Sequence, residues 1–170
     1  MPTYQPDNTP HTPLSVEGQQ VELETSLAEM RTIPEDRLLP PVDTDYPVTS
    51  PYSEGNRYIE QLNQNRPHRA IDIGTPLGTP IQSPASGTVT FAGQTNYGNV
   101  VMLDHNYYYQ GLQLSTSYSH LSSISVTQGM QIQMGQIIGY TGTYGTGPHL
   151  HFVVRIGGQR INPLLLFPYR

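Results

Sequence analysis

Short apolar runs divided by glycine and proline fill the chain from about residue 46 onward. Residues 87–93 alternate apolar and polar side chains, as expected of a strand with one buried face. Residues 99–103 form a continuous apolar run, which predicts a buried strand. Further strands are predicted at 48–50, 114–121, 137–140 and 149–156. Strands at this spacing indicate an all-β, mostly antiparallel domain.

The amino-terminal part follows a different pattern. Residues 1–15 are rich in Pro, Thr and Asn, which favours a disordered or extended segment. Residues 17–31 are the best helix candidate, because Leu23, Leu27 and Met30 fall on one face of a helix. Repeated prolines then predict a linker or strap over residues 32–46.

We therefore divide the chain into an amino-terminal extension, residues 1–45, with a short helix and an extended segment, and a β domain, residues 46–170. Within the β domain, the polar residues 53–67 predict a loop with at most one helical turn at Tyr58–Leu62. Three consecutive tyrosines within residues 104–113 are expected in a hairpin loop.

Charge and cysteine content exclude several classes of partner and site. The formal net charge is -5 and all eight basic residues are arginines, which argues against nucleic acid as a partner. The absence of cysteine excludes disulfides and cysteine-ligated zinc. No apolar run approaches the ~20 residues needed to span a membrane. The first residues carry neither a basic nor an apolar region, so no signal peptide is visible in this chain.

The segment Gly147-Pro148-His149-Leu150-His151 begins the last long apolar run. Side chains two residues apart on a strand share a face, about 6.6 Å from each other. One histidine could therefore hold a metal while the other serves chemistry beside it. The alternative is a strand with one exposed and one packed histidine.

Two other segments carry candidate partners. His68 and Asp72 are four residues apart, about 13 Å in a straight strand, so the backbone must curl between them if both bind one metal. The alternative is a solvated loop histidine and a turn aspartate. Tyr118 and His120 are expected to share one strand face, where His120 could equally be a half-buried, hydrogen-bonded histidine.

Three motifs occur in a fixed order: His-x-x-x-Asp, then Tyr-x-His-Leu, then Gly-Pro-His-Leu-His-Phe. This order, over about residues 46–165, resembles the lysostaphin-type zinc endopeptidases of peptidase family M23. The linking segments match as well: Asp72–Ile81, Ser86–Val89, Tyr97–Val101, Gly135–Gly139 and Asn162-Pro163. Three spaced motifs in order are far more specific than any one of them.

The resemblance implies a lysostaphin-like fold of antiparallel sheets with an open groove, flanked by residues 107–109 and 141–147. It also implies one zinc ion per chain, and the ligands would be His68, Asp72 and His151. His120 and His149 would then be the two unliganded catalytic histidines, acting with zinc-activated water as the nucleophile. A centre with two neutral imidazoles and one carboxylate keeps a net charge near +1, which suits a Lewis acid.

The implied activity is hydrolysis of peptides in bacterial peptidoglycan, either glycine-containing bridges or D-alanyl cross-links. A monomer acting in the cell envelope or outside the cell is expected. The alternative is a catalytically silent scaffold or an activator of another wall hydrolase. Residues 1–45 could also lie across the groove and restrain activity.

The chain departs from the family pattern at two places, and one of its histidines is expected to lie outside the site. Ala70 stands where the first motif usually has glycine, and residues 50–57 replace the usual Ser-x-Phe-Gly-x-Arg segment, which puts one groove wall in doubt. His105 is interpreted as a structural histidine, outside the site.

Overall fold

The computed structural model describes residues 38–59, 64–145 and 147–170. The helix candidate at 17–31 and the segment 1–15 lie outside these residues. The described part contains twelve strands and a 3-10 helix at Pro163–Leu165. The strands are β1 (Val48–Ser50), β2 (Ser53–Ile59), β3 (Gln64–His68), β4 (Ile71–Gly74), β5 (Pro80–Gln82), β6 (Gly87–Thr95), β7 (Gly98–Tyr109), β8 (Leu112–Ile124), β9 (Gln131–Ile132), β10 (Ile137–Thr143), β11 (Pro148–Ile156) and β12 (Gln159–Ile161).

Ten of these strands form one sheet, in the order β1-β4-β11-β10-β8-β7-β6-β9, with β12 beside β11 and β5 beside β10. Strand β11 also pairs with β8, and β2 pairs with β3 in a separate two-stranded sheet. Every pairing is antiparallel, so the predicted all-β, mostly antiparallel fold is confirmed. Within the described residues, no helix is long and apolar enough to cross a membrane.

Strand β11 divides the core from the surface that carries the histidines. Its inward residues Leu150, Phe152 and Val154 are fully buried. The Phe152 ring packs on Tyr118, with a centroid separation of 5.4 Å, and on Phe167, at 5.3 Å. Burying each such side chain stabilises the fold by roughly 1.5–3 kcal/mol. His149 and His151 lie on the opposite face of the same strand. The core packing of Leu150, Phe152 and Val154 therefore fixes the position of the strand that carries the two histidines.

The described part of the predicted strap, residues 38–46, lies along the domain. The backbone of Leu39 donates to Pro84 O, and Pro41 O accepts from Gln82. The Tyr169 hydroxyl donates to Val42 O at 2.6 Å and accepts from Val42 N at 3.1 Å. The strap is thus fastened to the β domain by backbone and side-chain hydrogen bonds.

Two loop predictions are wrong. Residues 53–59 and 64–68 form the β2–β3 hairpin, although the sequence shows no alternation of apolar and polar residues there. The tyrosines at 107–109 belong to β7, and only Gln110 and Gly111 turn the chain. Both have positive φ angles, 48° and 79°, as a two-residue type I′ turn requires. Backbone pairing, which the sequence pattern does not report, decides both cases.

Candidate active site

The first motif bends as the metal hypothesis requires. Strand β3 ends at His68, and β4 begins at Ile71. This interruption brings His68 Nε2 to 3.5 Å from Asp72 Oδ1. Ala70 is buried and does not adopt a positive φ angle, so the residue that replaces glycine here imposes no backbone strain.

His151 completes a cluster with these two residues. It pairs directly across from Asp72 on β4, and its Nδ1 lies 2.8 Å from Asp72 Oδ1. One potential ligand atom from each of His68, Asp72 and His151 lies within 4.8 Å of the other two. Zinc bonds of ~2.0–2.2 Å at tetrahedral angles place ligand atoms about 3.3–3.6 Å apart. The triad therefore fits zinc if the widest separation between its ligand atoms shortens by no more than about 1.5 Å.

Hydrogen bonds orient the ligand atoms before any metal binds. The Nδ1–H of His68 donates to Pro51 O at 3.0 Å, which leaves Nε2 directed at Asp72. Burial alone would raise the pKa of the Asp72 carboxyl, but hydrogen bonds from His151 and His68, and then their charges, lower that pKa well below its usual range. Asp72 is thus a carboxylate, the form that binds a cation.

A β-bulge turns His120 toward this cluster. Along β8, Tyr118 pairs with Val101 and Leu121 pairs with Asn99, so β8 has one more residue than β7 over this step. His120 lies within the bulge and has a φ angle of 65°. Its ring centroid is 5.4 Å from that of His151. Tyr118 instead stacks on Phe152 in the core.

The prediction that Tyr118 and His120 share a face is therefore wrong. Strict alternation would place His120 beside Tyr118 in the core, and the extra residue reverses its direction. A non-glycine residue in the left-handed region costs on the order of 1–3 kcal/mol, and such strain is concentrated at functional sites.

Two contacts hold the His120 ring. Its Nδ1–H donates to Tyr97 O at 2.8 Å, which leaves Nε2 as the unprotonated nitrogen. The Tyr144 ring stacks on it face to face, with centroids 4.2 Å apart and planes inclined by 7°. Burial, followed by the charge of His151, lowers the pKa of His120. The imidazole is therefore neutral near pH 7 and able to accept a proton.

His149 lies beside His120, with ring centroids 5.3 Å apart. Its Nδ1–H donates to Gly147 O at 2.9 Å, so Nε2 is the nitrogen with the lone pair in the neutral tautomer. Its cross-strand neighbours are Gly142 on one side and Gly74 on the other. Because both cross-strand neighbours are glycines, no side chain from β10 or β4 flanks His149 at these two positions, which leaves room for a substrate.

His105 and the tyrosines at 107–109 are not part of this cluster. His105 is fully buried, and its ring nitrogens contact Ala85 O at 3.1 Å and Thr116 Oγ1 at 2.7 Å. This agrees with a structural role. The tyrosine end of β7 pairs with Leu112 and Gln113, at the opposite end of β8 from His120. The segment after Thr143 is the one that contacts the site, through Tyr144.

The match to a family model decides the relationship. The model described as peptidase family M23 matches residues 66–163, which include all five candidate residues. The chain belongs to peptidase family M23. The family resemblance and the lysostaphin-like architecture predicted from the sequence are thereby confirmed. M23 peptidases are zinc-dependent, and the His-Asp-His triad suits that metal.

Among curated M23 relatives, the DD-carboxypeptidase/endopeptidase Mpg of Neisseria gonorrhoeae is 42% identical over 120 residues, which cover 69% of this chain and 26% of the relative. The peptidoglycan DD-endopeptidase ShyA of Vibrio cholerae is 33% identical over 127 residues, covering 73% of this chain and 28% of the relative. The chain thus spans about a quarter of the length of these relatives.

Two solved structures share the fold. A zinc-containing peptidase from Vibrio cholerae superimposes with a TM-score of 0.64 at 32% identity, covering 74% of this chain and 39% of that one. The catalytic domain of lysostaphin from Staphylococcus simulans gives a TM-score of 0.57 at 30% identity, covering 71% of this chain and 90% of that one.

Sequence reasoning missed the groups that orient the histidines. The carbonyls of Tyr97 and Pro51 leave no signal in the sequence, because every residue has a backbone carbonyl. The Tyr144 ring belongs to no periodic pattern of apolar and polar residues. The position of Tyr144 between Thr143 and Gly145, next to the histidine pair, was the one available indication.

Proposed function

We propose that this protein is a zinc-dependent endopeptidase that hydrolyses peptide cross-links or bridges of bacterial peptidoglycan. One observation supports the proposal: the possible metal ligands His68, Asp72 and His151 lie beside two further imidazoles, those of His120 and His149, which are not part of the ligand group. The triad atoms lie within 4.8 Å, and the His120 ring lies 5.3 Å and 5.4 Å from those of His149 and His151. Location in the envelope or outside the cell follows from the substrate.

His68, Asp72 and His151 would hold one zinc ion, which supplies Lewis-acid polarisation of the scissile carbonyl and lowers the pKa of water toward ~7. In the neutral form of each ring, His120 and His149 have an unprotonated Nε2, because Nδ1–H donates to a carbonyl. One can accept a proton from the attacking water, and the other can, once protonated, support the oxyanion or protonate the leaving amine. The geometry leaves these two roles interchangeable.

The test compares two alanine variants of the full chain. We expect His151→Ala to lose zinc and activity together. His120→Ala should keep one zinc per chain and lose about 10²–10⁴-fold in turnover, the usual contribution of a general acid or base. Zinc is measured by elemental mass spectrometry, and turnover by mass spectrometry of fragments released from purified peptidoglycans with different cross-bridges.

Full turnover in His120→Ala would contradict the catalytic assignment. A wild-type protein that binds zinc stoichiometrically yet releases no fragments would be a catalytically silent member of the family. The released fragments also identify the scissile bond, whether in glycine bridges or in D-alanyl cross-links.

We also propose that residues 46–170 form the peptidase unit and that residues 1–45 are an amino-terminal extension; restraint of the peptidase by this extension is a separate hypothesis. Since residues 38–42 pack on the domain, the shortened protein should begin at Leu38. Equal turnover by full-length and shortened proteins on the same peptidoglycan would contradict an inhibitory role for residues 1–37.

A further inference from the structure

Arg155 shares a strand face with the candidate zinc ligand His151. The two residues are four apart on β11, in an uninterrupted register with β8, so their Cα atoms are about 13 Å apart on one face. The Arg155 Nη1 donates to Ser117 Oγ at 3.1 Å. Ser117 pairs with Val153, which lies between the two. The guanidinium therefore leans back toward the triad.

Within the part of the chain that the structure describes, no charged partner explains this arginine. Among residues 38–59, 64–145 and 147–170, no carboxylate lies within ion-pair distance of Arg155. Its direct neighbour across β12 is another cation, Arg160. Burial, followed by the charge of Arg160, lowers the pKa of Arg155. Like charges directly opposite on a sheet are destabilising, so the pairing of Arg155 with Arg160 does not stabilise the fold.

The row between Arg155 and the triad carries no charged side chain, and its members Ser117 and Val153 are buried. Ser119, Ser117 and Ser115 on β8 stand opposite His151, Val153 and Arg155 in turn. Alternation places all three serines on the same face as the histidines. Ser115 is engaged with Asp104, at 2.8 Å, whereas Ser117 bonds the guanidinium. A substrate carboxylate that approaches the guanidinium would therefore meet no competing negative charge between Arg155 and His151.

We propose that Arg155, supported by Ser117, binds a carboxylate of the substrate peptide, about two residues from the scissile bond. The spacing follows because the guanidinium lies at the level of Val153, about 7 Å along the strand from His151. Guanidinium groups bind carboxylates through two parallel hydrogen bonds. This inference rests on the proposed endopeptidase function. It selects stem-peptide cross-links with a free carboxylate over glycine bridges, which have no side chains.

The experiment uses two synthetic cross-linked stem peptides, identical except that one carries a free carboxylate and the other the corresponding amide. We expect zinc-loaded wild-type protein to prefer the carboxylate peptide about 10- to 100-fold in kcat/KM, mainly through KM. Arg155→Gln should bring this ratio close to one. Arg155→Lys keeps the positive charge but lacks the planar guanidinium, so its preference for the carboxylate peptide should fall between those of wild type and Arg155→Gln.

Arg160→Gln is the matched control, because it removes the same charge from the neighbouring strand. It should leave the preference unchanged. A preference that survives in both Arg155 variants, or that falls equally in Arg160→Gln, would overturn the subsite. Thermal unfolding of each variant verifies folding, and Arg155→Lys decides the question if Arg155→Gln does not fold.

Binding of the same peptides, labelled and followed by fluorescence anisotropy, separates this inference from the proposed function. Cleavage of neither peptide by the wild type, together with tighter binding of the carboxylate form that Arg155→Gln abolishes, supports the subsite and refutes the endopeptidase. Cleavage of both peptides with equal kcat/KM and equal affinity refutes the subsite alone.

Discussion

The buried histidine outside the site, His105, should make the fold sensitive to acid. Burial lowers the pKa of its imidazole to about 4, against 6.5 for an exposed histidine, although hydrogen bonds to Ala85 and Ser86 and the charge of Asp104 act in the opposite direction. Because Ala85 O can only accept, Nδ1 carries the proton and Nε2 accepts from Thr116. A second proton at Nε2 would disrupt this arrangement.

The sign and size of the effect follow by linkage. The unfolded chain binds a proton below about pH 6.5, whereas the folded chain binds it only below about pH 4, so stability is present above pH 6.5 and is lost as the pH falls toward 4. The full difference corresponds to about 3 kcal/mol, and about 2 kcal/mol of it is lost by pH 5.

The perturbation is His105→Gln, which removes the titration and keeps an amide able to donate and accept. Both proteins are stripped of metal with EDTA, so that zinc release does not contribute. Urea unfolding is followed by tyrosine fluorescence, since the chain has 12 tyrosines and no tryptophan. Between pH 7.5 and pH 5.0, wild type should lose about 2 kcal/mol of unfolding free energy relative to the variant.

Thr116→Val is the control. It removes the hydroxyl that bonds Nε2 but leaves the imidazole buried, so it should lower stability while keeping the acid sensitivity. If the stability difference between wild type and His105→Gln stays constant within about 0.5 kcal/mol over this pH range, the reasoning about His105 is refuted.

Three further substitutions test contacts around the site and the strap. Gly142→Ala would place a Cβ 2.3 Å from His120 O, so we expect displacement of His120 and a loss of about 10²-fold in kcat with zinc content unchanged; unchanged kcat would refute this. Tyr144→Ala should lower kcat about 3- to 10-fold by removing the ring stacked on His120, whereas Tyr144→Phe should match wild type. Tyr169→Phe leaves the backbone of Val42 without its buried partner, and urea unfolding should show a loss of about 1–3 kcal/mol.

Only part of the candidate metal site was predictable from short-range geometry; the ligand set came from the family resemblance, and the contact between Asp72 and His151, 79 residues apart, depends on the pairing of β4 with β11. His149 and His151 share a face in any strand, and the need for a bend between His68 and Asp72 follows from strand length alone. The structure places a break between β3 and β4 at that point. The β2–β3 hairpin was not predictable in the same way, because backbone pairing requires no alternation of apolar and polar residues.

The sequence by itself determined the class of the fold, which depends on turns and alternation within a few positions, and its ordered motifs carried the family resemblance that implied the zinc-binding residues. Only the tertiary structure decided the direction of His120, the cover provided by Tyr144 and the orientation of Arg155. Each depends on the register between two paired strands, which residue types do not specify: β7 with β8 for the bulge, β10 with β11 for the segment carrying Tyr144, and β11 with β12 for the facing arginines. A single extra residue in β8 reverses the direction of the His120 side chain. The position of such a bulge depends on the register with β7, which the pattern of residues along β8 does not indicate.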